Sequence, residues 1–182
     1  MSKAVMISIR PKWCEKIASG KKAIEVRKTR PKLQTPFKCY IYRTKGTVPH
    51  IINDKWVQME VGGTVIGEFT CDRIYEIDKD STDFLFKAGG LSVYKQAAEE
   101  KCGLCVAMTD DELHGYLGHY RGYGWHISNL KLYDPLKELS RFSRPFENCI
   151  DKVCDEFGCA SCENGGHIKH PPQSWCYVEE VE

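Results

Sequence analysis

The run Gly20-Lys21-Lys22-Ala23-Ile24-Glu25-Val26-Arg27 constrains this chain more than any other, because it opens on a turn glycine and then sets opposite charges on a strand. Side chains alternate faces along a strand, so Ile24 and Val26 pack inward while Glu25 and Arg27 share the other face. Two lysines stand at the mouth of that charged pair. Taken alone, a Glu and an Arg so placed are as readily a solvated or salt-bridged face. The flanking sequence changes the balance. Upstream, 5–9 reads as a buried strand stopped by Pro11, and 11–18 as about two helical turns with Trp13, Ile17 and Ala18 on one side, ending at Gly20. Downstream, Pro31 blocks further pairing. Lys21, Lys22, Arg27, Lys28, Arg30 and Lys32 place six cations within twelve residues, on a chain whose 26 Lys+Arg and 25 Asp+Glu leave a net charge of only +1. The overall charge therefore provides no pull towards nucleic acid or acidic membranes, and any such affinity must be local.

Further along, 37–44 alternates polar and apolar residues, with Tyr40 and Tyr42 on one face and Cys39 and Ile41 on the other, and reads as a strand. Residues 46–56 read as a loop or a weak hairpin, 62–71 as a strand entered through a glycine turn, and 73–77 as its extension or neighbour. Within 81–120, taken as a helical insertion, 83–86, 93–101 and 109–117 read as helices. The last is capped by Thr109 with Glu112 three residues on. Strand alternation returns at 125–133, ended by Asp134-Pro135, and again at 175–178. These elements predict an α+β fold: one domain over 1–182, a small, mostly antiparallel barrel with short flanking helices. With 42% hydrophobic residues the chain has enough apolar surface for a core. No apolar run approaches ~18 residues and no apolar leader opens the chain, so the expectation is a cytoplasmic protein without membrane contact. Its ten cysteines are then thiols or metal ligands rather than disulfides.

The stretches 8–13 (Ser-Ile-Arg-Pro-Lys-Trp) and 17–28, with Gly-x-Lys-x-x-Glu-x-Arg at its centre, resemble the opening of the ASCH domain, a branch of the PUA-like barrels. Val65-Ile66-Gly67-Glu68-Phe69, then Tyr123-Gly124-Trp125-His126-Ile127-Ser128, extend the likeness. The closing 172–178 is similar to the end of ASCH proteins of phages and prophages. The resemblance implies binding of RNA or a nucleotide in a cleft. Lys21, Lys22, Arg27, Lys28 and Arg121 would hold phosphates, Trp13, Tyr42 and Trp125 would stack on bases, and Glu25 would accept from an amino edge. It also implies an alternative, since the family includes a hydrolase that deacetylates N4-acetylcytidine and a ribonuclease. The lysine of that amidohydrolase branch falls on Lys22, with Glu25 as the other candidate catalytic residue and Glu99 or Glu100 as candidate acidic partners. That branch carries a threonine where this chain has Glu25, and a glutamate there would hold Lys22 charged. A host protein as partner is a third possibility, on which the sequence is silent.

A second constellation lies in 145–170. Cys149, Cys154, Cys159 and Cys162, followed by His167 and His170, put four cysteines and two histidines within twenty-two residues. A segment without apolar periodicity cannot make its own core, and a structural zinc held by the four cysteines would order it. His167, His170, Cys102 and Cys105 are alternate ligands, Cys102 and Cys105 forming a second Cys-x-x-Cys pair. Reduced thiols without metal and an iron–sulfur cluster are the competing readings.

Overall fold

The computed structural model describes residues 3–79, 84–118, 121–145 and 167–180. In chain order they form strand β1 (Ala4–Ile9), helix α1 (Pro11–Ala18) and strands β2 (Ile24–Arg27), β3 (Phe37–Arg43), β4 (Gly46–Ile52) and β5 (Lys55–Val61). Strands β6 (Thr64–Cys71), β7 (Ile74–Lys79), β8 (Phe84–Ala88) and β9 (Leu91–Tyr94) follow, then helices α2 (Lys95–Cys102) and α3 (Asp110–Leu117). Strands β10 (Gly122–His126), β11 (Ser128–Lys137), β12 (Phe142–Ser143) and β13 (Trp175–Glu180) complete the order. The chain divides into two compact units, the first comprising 1–12, 39–68 and 131–182, the second 13–38 and 69–130. No helix among the described residues is long and apolar enough to cross a membrane.

The first unit is organised on a six-stranded sheet in the order β11-β6-β3-β1-β13-β12. Central β1 runs parallel to β3 and antiparallel to β13, and every one of its residues is buried. That double-sided burial is why 5–9 shows an apolar run instead of alternation. Ala4 and Met6 pack with Tyr40, Tyr42, Val65, Phe142 and Val178. Glu180 on β13 accepts from the Tyr40 hydroxyl at 3.0 Å and from Lys137 on β11, so the sheet curls until strands four places apart meet. It does not close. The expected small, mostly antiparallel barrel is present in part: the α+β mix holds, with a curled open sheet, a second open sheet and a separate hairpin in place of a closed barrel. At one edge β12 is only two residues long and offers too few backbone groups to complete a ring. The weak hairpin expected after Gly46 is β4 paired with β5 through Asn53 and Asp54, both at positive φ as a tight two-residue turn requires.

The second unit holds a five-stranded sheet, β2-β10-β7-β8-β9. Ile24, Val26, Tyr75, Ile77, Phe84 and Phe86 cover one face and pack with Ala98 of α2 and Leu113 and Leu117 of α3. The Thr109–Glu112 capping box forms as expected. The expected helix at 83–86 does not. Phe84 and Phe86 are buried two residues apart and pair in register with Lys79 and Ile77, because two aromatics at period two cover a sheet better than a helix. The strand expected over 125–133 is two strands in different sheets, divided at Ile127, whose N–H donates to Ala23 O. Nor does Pro135 end β11, which is an edge strand and needs no N–H there.

Gly122 and Gly124 face the helices and the core. A Cβ at Gly124 would lie 2.8 Å from Ile24 Cγ2, and one at Gly122 2.6 Å from a Leu117 methyl. Gly124→Ala is therefore expected to lower stability by about 1–3 kcal/mol, the range for overpacking. A denaturant titration checks this, and an unchanged midpoint would show that the sheet yields freely there.

Candidate functional site

Gly20 adopts φ +73°, a conformation that costs a residue without Cβ little, and its N–H donates to Ile17 O at 2.9 Å to end α1. The Lys22 N–H then reaches back to Lys16 O at 3.1 Å. This turn carries Lys22 to the threshold of β2 with its side chain buried. Lys22, Glu25 and Arg27 are 2%, 6% and 7% exposed, so the charged face of β2 is not a solvated one. Arg27 Nη2 lies 3.0 Å from Glu25 Oε1, and Lys22 Nζ lies 3.6 Å from Glu25 Oε2. Lys22 Nζ also donates to Val106 O at 2.7 Å. Glu25 Oε2 itself is buried without a hydrogen bond among the described residues. Among the described residues, two cations thus face the Glu25 carboxylate in a buried setting. Burial drives the Lys22 pKa below its ordinary value, with Glu25 pushing it back up and Arg27 adding to the decrease.

The segment 105–107 straps this cluster. Cys105 O accepts from Ala23 N and Ile24 N at 2.8 and 3.1 Å, and Lys16 Nζ donates to Ala107 O at 2.9 Å. Val106 N donates to Glu99 Oε1 at 3.2 Å, so one residue, Val106, links Lys22 to Glu99 through its two backbone polar groups. The half-buried Trp13 ring lies under both lysines, its centroid 4.7 Å from Lys16 Nζ and 5.1 Å from Lys22 Nζ. Across the β2–β10 pairing, Trp125 stands opposite Glu25 and Tyr123 opposite Arg27.

The residues singled out in the sequence therefore scatter. Lys22, Glu25 and Arg27 come together; Lys21, Lys28, Arg30 and Lys32 remain exposed. Lys28 lies 5.6 Å from the Tyr116 ring centroid. Trp125 is fully buried edge-to-face with Phe37, centroids 5.8 Å apart, and offers no face for stacking. Tyr42 sits in the core of the first unit, its phenol pushed up by burial and by Glu138. Arg121 is exposed and pairs with Asp78 at 3.1 Å. Glu99 holds Val106, while Glu100 accepts from Gln96 on the surface. Cys149, Cys154, Cys159 and Cys162 lie outside the described residues, as does the Cys102 side chain. His167 and His170 are exposed, and His167 bridges to Ser143. Among the described residues, Cys71 and Cys176 are thiols that burial pushes up to about 12 and about 11, poor ligands and nucleophiles both. His126 is half-buried, with its ring Nδ1 2.6 Å from Asp72 Oδ1. No local sequence signal marks that pair, because its members are 54 residues apart.

No family model matches the sequence, and no curated protein matches it. Solved structures do match. The crystal structure of ASCH from Zymomonas mobilis aligns with 98% of this chain and 98% of its own at a TM-score of 0.51 and 16% identity. The chain has an ASCH-like fold. A variant of the same Zymomonas protein covers 97% of this chain and 88% of its own at a TM-score of 0.56 and 15% identity. At such identity the likeness concerns the ASCH-like fold alone, so the chemistry has to be argued from this chain's own side chains.

The Lys22 environment makes a signed prediction. Glu25→Gln removes the charge that raises the Lys22 pKa and should lower it further; Arg27→Gln should raise it. Because the folded value is below the unfolded one, Lys22 contributes a stability that increases as pH rises between the two. Carbon-detected NMR titration of labelled lysine checks the ordering. An insensitive Lys22 would show the cluster to be solvated.

Proposed function

We propose that the second unit binds RNA or a nucleotide at the sheet face that carries Lys22, Glu25 and Arg27. The observation that supports this most is the buried cluster of Lys22, Glu25 and Arg27, in which Glu25 Oε2 faces Lys22 without a hydrogen bond among the described residues. Buried ion clusters are often no more stable than apolar residues of the same volume, so stability is a poor reason for one. An ionisable group perturbed by burial beside specific charge partners, as Lys22 is, is a mark of functional sites. In this reading Arg27 and Lys22 hold an anionic group, Glu25 Oε2 accepts from an amino edge, and the half-buried Trp13 supplies a ring face. Exposed Lys21, Lys28 and Lys32 add long-range attraction. Side chains so deep suit a single strand or a free nucleotide better than a duplex.

The lowered Lys22 pKa also favours a second reading, a hydrolase acting on a modified nucleobase or an RNA strand, with Lys22 as base. The 2.7 Å bond to Val106 O and the charge of Glu25 both work against it by stabilising the ammonium. One experiment separates the two. The protein and its Lys22→Ala variant are incubated with total RNA and modified nucleosides, and retained and converted species are identified by mass spectrometry. Binding that weakens with salt, falls about tenfold or more in Lys22→Ala or Arg27→Ala and yields no product is the expected result. A product made only by the parent protein would favour the hydrolase.

We also propose that the cysteines at 149, 154, 159 and 162 hold one structural zinc. Metal analysis should find about one zinc per chain, lost in Cys159→Ser/Cys162→Ser. Metal-free protein with these thiols freely titratable would contradict it.

A further inference from the structure

The five-stranded sheet places one residue of each strand in a single row: Arg27, Tyr123, Glu76, Lys87 and Ser92 are successive cross-strand partners. Directly paired residues share a face, so this row lies on the side of Glu25 and Trp125, opposite the packed core. Three strand spacings, roughly 14 Å, separate Arg27 from Lys87. Beyond Tyr123 the row enters a groove of about 460 Å³ lined by Arg30, Glu76, Lys87 and Ser92, with Ile74 beside Glu76 and the Gly89-Gly90 turn at its rim. That volume is within the usual range for small-molecule sites.

The groove's chemistry is specific. The Arg30 guanidinium lies 5.7 Å from the Tyr123 ring centroid, which fixes a cation at the end nearest Arg27. Lys87 Nζ is 2.7 Å from Asp78 Oδ2, and Arg121 Nε is 3.1 Å from Asp78 Oδ1, so two cations again share one carboxylate. Glu76 stands in the row between Tyr123 and Lys87, an acceptor-only group flanked by cations and an aromatic ring. Gly89 and Gly90 have positive φ and nothing within 4 Å of where a Cβ would stand, so a ligand can approach that backbone closely. A groove whose own lining carries two cations, Arg30 and Lys87, and one carboxylate, Glu76, fits a phosphate joined to a base that bears an amino group.

The geometry points to this groove as a second nucleotide subsite, in which Arg30 and Lys87 hold a phosphate and Glu76 accepts from the amino edge of the base. The inference rests on the nucleotide-binding reading of the Lys22 cluster and extends it along the row to the next unit of a single strand.

Fluorescence anisotropy with a cytidylate trinucleotide and a cytidylate nonanucleotide tests it, using the parent protein, Lys22→Ala, Arg30→Ala/Lys87→Ala and Glu76→Gln. The substituted groove residues are exposed, and matching unfolding midpoints establish that the variants fold. Lys22→Ala should weaken both oligomers, whereas Arg30→Ala/Lys87→Ala should weaken the longer one about tenfold and leave the shorter unchanged. Glu76→Gln should reduce the preference for oligocytidylate over oligouridylate several-fold, since uracil has no amino group to offer. If the parent binds the longer oligomer and the double variant binds it equally well, the second subsite is overturned while the Lys22 reading stands. If the parent binds neither oligomer, both fall.

Discussion

Taking two cations and a carboxylate out of water costs several kcal/mol per ion unless each finds partners, and the local structure of the second unit is arranged to meet that cost. Arg27 and Glu25 approach to 3.0 Å, and Lys22 takes a backbone carbonyl at 2.7 Å. The strap at 105–107 supplies that carbonyl and pairs with the backbone of Ala23 and Ile24, while Glu99 of α2 anchors the strap. Turn, strand, strap and helix α2 are thus connected through one set of polar contacts, and Lys22 is where they meet. The compensation is incomplete, because Glu25 Oε2 is left without a hydrogen bond among the described residues.

The opposite face of the same sheet shows how the cluster is kept in place. Ile24 and Val26 are packed into the core, so β2 cannot turn Glu25 and Arg27 to its other face without exposing that apolar pair. Glycines at 122 and 124 let Leu117 and the neighbouring core side chains come close to β10, which in turn positions Tyr123 and Trp125 on the charged side. Tyr123 extends the arrangement, because its register partners Arg27 and Glu76 bring the buried cluster and the open groove into one row. Arg30 over the Tyr123 ring adds a cation exposed to solvent. A single sheet face therefore runs from deep, paired charge to accessible charge.

Much of this was legible in the sequence. Alternation at 24–27 identified the two faces of β2, the glycine at 20 marked the turn, and Thr109 with Glu112 marked the cap. Burial of the charged face was not legible, since Lys, Glu and Arg in a row read as surface until their partners are known. The decisive partner, the carbonyl of Val106, lies 84 residues from Lys22 and carries no side-chain signature. The helix expected at 83–86 failed for a related reason: four residues fit either period, and only pairing with β7 settles which. Alternation through 125–133 looked continuous because a break at one residue changes the sheet but not the pattern. The succession of short strands suggested a barrel, yet closure depends on edge lengths and pairings that the pattern of strands does not contain.

If the buried charges serve a ligand and not the fold, replacing them together with apolar residues of similar volume should separate the two. The measurement is the unfolding midpoint of Lys22→Met/Glu25→Leu/Arg27→Met beside its retention of single-stranded RNA. The account predicts a midpoint at or above that of the parent, as buried ion clusters exchanged for apolar side chains often show, with RNA retention lost. A variant that unfolds readily, or one that stays folded and still retains RNA, would contradict it.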